Sequence, residues 1–456
     1  MYNGGDGLNS NERTSMQTPS EADPFAATVV AEPKRRSWRP APWMAALLAT
    51  LGMLAIWKIV SVTPYVDSDS IHYLAMANGK IAMKPFAFRV LAPAMARLFA
   101  DVTGKPVEDG FLVVGLLSGW VLLYGVLLLA LERRQNAWLI VAMIPLPFWL
   151  DRFRDYFLPD LLHAALVMVY LLLLRKRWWG WASAMLVVMF LARESTLLIV
   201  VIAIPVLWRL AGRRAGLMQL GGTLAGIAAS KFVARHALPN QHHIDDTLYL
   251  IGKVPWNAAK NLFGVILWSN TLPVQPPVRF WNVPHWLPLG GIHQVGYSAF
   301  YGLYPVFTSI SILGAFGLGS CVVILLVWKM PLRRLLPRED PYLCIAAIYG
   351  ATTFLLSPLL GAALPRLFDY GWPLFLVYLL VMVPRVWRNW PVWIVSVLVS
   401  LHLIIAWVDT VRFIYFHFDY SQELAVLVGC NFVAAWLLLK ASSATWKQSP
   451  LRNVGL

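Results

Sequence analysis

SAMLVVMFLARESTLLIVVIAIPVLW, residues 183–208, holds the choice between two folds. Its apolar run is long enough for one membrane helix, but Arg193 and Glu194 stand near its middle. Crossing the hydrocarbon takes ~20 apolar residues, and charges at mid-membrane are costly. One long helix would leave both charges in lipid. Two short helices broken at Arg193-Glu194 would bring both to a membrane surface. The choice also reverses the side reached by every later segment.

Composition puts the whole chain in the same solvent. Of 456 residues, 59% are hydrophobic and only 13% are charged, against roughly a quarter charged in soluble domains. Mean hydropathy is +0.61. The net charge of +15 does not mark a nucleic-acid binder. Most Lys and Arg stand in short clusters between apolar runs, as topology signals do. Cys321, Cys344 and Cys430 each lie inside an apolar run with no metal spacing, so they read as buried bulk.

Apolar runs occur at 43–62, 109–131, 136–150, 156–174, 178–192, 195–211, 215–235, 300–328, 341–361, 367–384, 391–408 and 422–440. The expected fold is an all-α polytopic bundle of about twelve spans. Residues 1–37 are polar and form a disordered cytoplasmic tail. The membrane domain covers 38–440, and 441–456 form a second cytoplasmic tail. With both termini inside, the cytoplasmic side holds 22 Lys and Arg and 8 Asp and Glu, while the outer side holds 15 of each. The positive-inside rule therefore favours the break at Arg193-Glu194 and places it outside. Two outer loops are long, at about 63–108 and 236–299.

Ionisable residues concentrate at the outer ends of the spans, where they are functional candidates. The first outer loop carries Asp67-Ser68-Asp69 and then His72 and Tyr73. Ser68 caps a following helix, which puts Asp69, His72 and Tyr73 on one face. The two acids admit three readings: a helix start, a hard divalent-cation site for Mg or Mn, or a general base with its orienting partner. Residues 84–99 are apolar apart from Lys84, Arg89 and Arg97 and contain Pro93. They read as a helix lying in the interface, with Arg89 placed for a phosphate or for lipid headgroups.

Asp151-Arg152-Phe153-Arg154-Asp155 is either a self-neutralised surface cluster or a carboxylate beside a phosphate clamp. Asp160 follows just inside the next helix. Arg193 and Glu194 are either a local ion pair or part of a site. Arg366 stands at a helix mouth. His242, His243, Asp245 and Asp246 match no zinc spacing, and their loop reads as solvated. No GxSxG, Walker A, Rossmann or HExxH motif is present.

Asp67-Ser68-Asp69 after the first span, Phe88 to Pro93 in an interfacial loop, Asp151 to Asp155, and Arg193-Glu194 together resemble the GT-C superfamily of polyprenyl-phosphate-sugar-dependent glycosyltransferases. The resemblance implies an enzyme of the bacterial inner membrane. It would transfer a sugar from a polyprenyl-phosphate donor to a glycan, lipid or protein acceptor on the non-cytoplasmic face. It assigns base or metal-ligand roles to Asp67 or Asp69, and an assisting carboxylate to Asp151 or Asp155. Donor binding falls to Arg89, Arg193 and Arg366, with His72, Arg152, Arg154 and Glu194 as further contacts by position. Two other functions fit the sequence: an outer-face glycan polymerase or ligase built on arginines and histidines, and a transporter or flippase of a lipid-linked glycan.

Overall fold

The computed structural model describes residues 42–60, 68–132, 155–238, 246–269, 279–282, 292–297, 302–329, 340–360, 391–415 and 420–446, with residue 284 and scattered positions between 335 and 382. Asp67, Asp151, Arg152, Arg154, Arg366, His242, His243 and both expected tails up to residue 37 and from 447 lie outside them, as does the apolar run 136–150.

The described helices are α1 (Pro42–Val60), α2 (Ser68–Ala77), α3 (Leu91–Thr103), α4 (Val107–Glu132), α5 (Asp160–Arg175), α6 (Trp179–Ala192), α7 (Thr196–Leu210), α8 (Arg213–Val233), α9 (Asp246–Phe263), α10 (Tyr304–Phe316), α11 (Gly319–Lys329), α12 (Pro341–Leu360), α13 (Val392–Tyr415) and α14 (Tyr420–Trp446). Among the described residues, four segments are long and apolar enough to cross a membrane: Val107–Leu129, Arg213–His236, Pro341–Leu360 and Tyr420–Ala441. The bent pair α10–α11 makes a fifth. The chain is thus a polytopic helical membrane protein. Several other expected spans are helical but shorter than the hydrocarbon requires, among them α6 with 14 residues and α7 with 15.

The break inside 183–208 is present. Arg193 is extended, with φ −166° and ψ 138°, so α6 ends at Ala192 and its last i→i−4 bond runs from the Arg193 N–H to the Met189 carbonyl at 2.8 Å. The Thr196 hydroxyl lies 2.7 Å from the Arg193 carbonyl and 3.0 Å from the Met189 carbonyl, adding a side-chain donor to carbonyls that already accept the Thr196 and Arg193 backbone N–H groups. In α3, Pro93 sits at the third position, where the missing N–H would have no intrahelical partner. Gly104, at φ +67°, ends α3 in the left-handed conformation.

Three expectations are corrected. The run 300–328 is not one straight span: it bends by 90° between α10 and α11, at Gly317 with φ +50°. The chain is not purely helical. Strands β1 (Val265–Ser269), β2 (Arg279–Asn282) and β3 (Ile292–Tyr297) form an antiparallel sheet in the order β1-β3-β2. The loop 236–299 is therefore not simply solvated, since it also contains α9, which packs on α10 and α12.

Backbone contacts tie the loops together. Lys84 N–H donates to the Leu238 carbonyl and Leu238 N–H to the Ala82 carbonyl, at 3.3 and 3.2 Å. The loop after α2 thus meets the chain leaving α8.

Helix α8 packs on α6 through glycine. A Cβ at Gly222 would collide with the Ser183 carbonyl oxygen, whereas at neighbouring Gly221 it meets nothing within 4 Å. Gly222→Ala is expected to destabilise the protein by about 1–3 kcal/mol through overpacking. Gly221→Ala should be neutral or slightly stabilising, since alanine favours the helix. Thermal unfolding in detergent compares the two.

Candidate functional site

Three segments meet through side chains at one end of the bundle. Helix α2 contributes Ser70 and Tyr73, both fully buried. The Ser70 hydroxyl donates to Asp155 Oδ1 at 2.8 Å. Ser70 therefore holds a carboxylate of the second expected outer loop one residue along the chain from Asp69. Asp155 is itself buried, and Asp69 is half-buried in the first turn of α2.

Phe86 organises the other side of α2. It lies in a short 3-10 turn, Phe86–Phe88. The His72 ring stacks on it at 4.3 Å and Tyr73 meets it edge-on at 5.8 Å. Arg89, just after the turn, lies over the same ring at 5.7 Å. His72 and Tyr73 thus both contact the Phe86 ring.

Arg89 is buried and forks onto Glu194. Its Nε donates to Glu194 Oε2 at 2.7 Å, its Nη2 donates to Oε1, and its Nη1 donates to the Tyr73 hydroxyl at 2.7 Å. Burial alone would lower the Arg89 pKa, but the charge of Glu194 and the Tyr73 bond outweigh it and raise it. Burial likewise works against the Glu194 carboxylate, yet Arg89 holds its pKa down at about 2. The Glu194 side chain remains 46% exposed, so this pair sits at the rim of the cluster and is partly screened.

Arg193 points elsewhere, to an ion pair with Asp160 in which both side chains are buried. The local pairing considered for Arg193 and Glu194 is thus corrected: neighbours in sequence face different ways, and each finds a partner from another segment. Behind them, His163 Nε2 lies 3.1 Å from the Thr196 hydroxyl and braces the turn that presents both residues.

The structure therefore assembles Asp69, Asp155, His72, Arg89, Arg193 and Glu194 from the expected set. The acceptors now seen for Arg89 and Arg193 are carboxylates, so neither guanidinium is a bare phosphate anchor. Ser70, Asp160, His163 and Thr196 join the site. Of these, Asp160 had a sequence signal: an acid inside an apolar run needs a partner. Two of its carboxylates, Glu194 and Asp160, are each paired with a guanidinium. Among the described residues no group of three His, Cys, Asp or Glu is close enough to hold a metal ion.

No family model matches the chain, and no curated protein matches it. Two solved structures are similar to it. One is ArnT from Cupriavidus metallidurans bound to undecaprenyl phosphate, with 13% identity and TM-score 0.45, covering 88% of this chain and 78% of that one. The other is the same protein in the apo state, with 15% identity and TM-score 0.42, covering 88% and 77%. Both scores lie below one half, so the functional reading rests on the side chains of this chain.

Proposed function

We propose that this protein is a membrane glycosyltransferase. It moves a sugar from a polyprenyl-phosphate-linked donor to a glycan, lipid or protein acceptor at the outer face of the bacterial inner membrane, with both termini in the cytoplasm. The observation that carries the reading is the Ser70–Asp155 hydrogen bond of 2.8 Å, which ties Asp155 to α2 at the residue next to Asp69. In this arrangement Asp69 or Asp155 takes the proton of an acceptor hydroxyl as general base. The oxygen bonds to the sugar's anomeric carbon as the bond from that carbon to the phosphate oxygen breaks. The phosphate leaves with the electron pair on the lipid side.

Asp67 and Asp69 are hard oxygen donors of the kind Mg and Mn take. A cation held there would stabilise the negative charge of the leaving phosphate. Arg89–Glu194 and Arg193–Asp160 fix the walls of the site. One observation favours a second reading: the break between α10 and α11 is of the kind transporters use at substrate sites.

Proteoliposomes loaded with a polyprenyl-phosphate sugar separate the two. The Asp69→Asn, Asp155→Asn and doubly substituted proteins should insert normally, and the double variant should transfer no sugar. Full transfer by all three would refute the proposal. Movement of donor across the bilayer without acceptor, unaffected by these changes, would favour transport.

A further inference from the structure

Helix α5 carries a buried histidine to which the transfer chemistry gives no part. His163 lies three residues after Asp160, on the same face of α5, and is only 2% exposed. Its Nε2 lies 3.1 Å from the hydroxyl of Thr196, which is fully buried at the start of α7.

The surroundings fix the direction of that hydrogen bond. A hydroxyl has one proton and two lone pairs. The Thr196 oxygen lies 2.7 Å from the Arg193 carbonyl and 3.0 Å from the Met189 carbonyl. Both carbonyls can only accept, and oxygens that close repel unless a proton lies between them. The Thr196 proton is therefore committed to the carbonyls. His163 then meets a lone pair of the hydroxyl oxygen, so its Nε2 must carry a hydrogen and donate it. The partner of one ring nitrogen sets where the proton sits. The chain of bonds runs from His163 to Thr196 to the Arg193 carbonyl.

That carbonyl belongs to the residue at the helix break. Arg193 is extended, and extended backbone sends successive side chains to opposite sides. Arg193 accordingly reaches Asp160, and Glu194 reaches Arg89. Helix α5 thus grips Arg193 twice. Asp160 holds its side chain. His163, through Thr196, holds its carbonyl and with it the peptide that leads into Glu194. Without the His163 donor, a buried lone pair of Thr196 goes unmet and the hydroxyl is free to turn from the Arg193 carbonyl.

We propose that His163 is a positioning residue: through Thr196 and the Arg193 carbonyl it sets the direction of Glu194 and hence the fork on Arg89. The effect on sugar transfer rests on the transferase reading. The effect on Arg89 does not, and it is measured separately.

The experiment treats the full chain in detergent with phenylglyoxal, which modifies guanidinium groups, and locates modified Arg89 by peptide mass spectrometry. Wild-type Arg89 should react slowly, because it is buried and forked on Glu194. His163→Leu and Thr196→Val should each speed its modification about tenfold, the weight of one hydrogen bond. His163→Gln keeps an N–H donor at similar reach and Thr196→Ser keeps the hydroxyl, so both should stay near wild type. That rescue separates a lost bond from a damaged fold. Nitrogen-15 NMR of labelled histidine, assigned by the signal missing in His163→Gln, should find a proton on His163 Nε2. Transfer per folded molecule should fall about tenfold in His163→Leu and recover most of its rate in His163→Gln. A bare Nε2, or equal Arg89 reactivity in wild type, His163→Leu and Thr196→Val, would overturn the proposal while leaving the transferase reading intact. Absence of transfer by wild type, with the Arg89 and NMR results as expected, would overturn the transferase reading and leave the positioning chain standing.

Discussion

Asp160→Asn is expected to destabilise the protein by about 3–5 kcal/mol, the effect of stranding one member of a buried ion pair. Arg193 and Asp160 are both buried, with side chains 8% and 4% exposed. Asparagine keeps the shape of the aspartate but removes the charge that compensates the guanidinium. Arg193 cannot shed its proton, so its desolvation is then unbalanced. The exposed rim pair behaves differently. Glu194 is 46% exposed, so Glu194→Gln should cost less, because water takes over part of the compensation. A third variant separates charge from packing. Replacing both partners by apolar residues, Asp160→Leu with Arg193→Met, should recover most of the stability lost in Asp160→Asn, since apolar replacements of buried pairs are often neutral or better. Unfolding midpoints of the three proteins in detergent decide the matter. An Asp160→Asn midpoint equal to wild type would mean that water or another group already compensates Arg193.

The same pair shows how far the sequence could be read. That 183–208 must break at Arg193-Glu194 followed from the cost of two charges in lipid and from the distribution of Lys and Arg. The extended conformation of Arg193 agrees. Which carboxylate each charged residue would meet was not legible. Asp160 lies 33 positions before Arg193, and Arg89 lies 105 before Glu194; pairing over such distances is set by helix packing, which leaves no local pattern.

Helix α9 was missed for a different reason. Pro255 and the lysines at 253 and 260 interrupt its apolar face, so the stretch reads as loop. The sheet went unseen because strands of four to six residues carry too few alternations to stand out from a loop rich in Trp and Pro. The bend at Gly317 is invisible to hydropathy, which counts apolar residues without regard to backbone angle.

Asp155→Asn is expected to lower the rate of sugar transfer by about 10²- to 10⁴-fold, the range of a general base, while leaving donor affinity nearly unchanged. The substitution is mild for the fold. The asparagine carbonyl can still accept the Ser70 proton that Asp155 Oδ1 now takes at 2.8 Å, so that bond can persist while the charge is lost. Ser70→Ala makes the complementary change, keeping the carboxylate and removing the group that aims it. Its expected loss is smaller, about tenfold, the weight of a single hydrogen bond, and Ser70→Thr should restore the hydroxyl in part. A purely structural Asp155 predicts another order: Ser70→Ala and Asp155→Asn would lower the unfolding midpoint together, and transfer per folded molecule would hold. Rates normalised to folded protein, measured with saturating donor, distinguish the two. The graded series requires that the carboxylate act on the acceptor rather than on the fold. If Asp155→Asn transfers sugar at the wild-type rate, the base must be Asp69, Asp67 or Asp151, and the Ser70 bond serves only to close the second loop against α2.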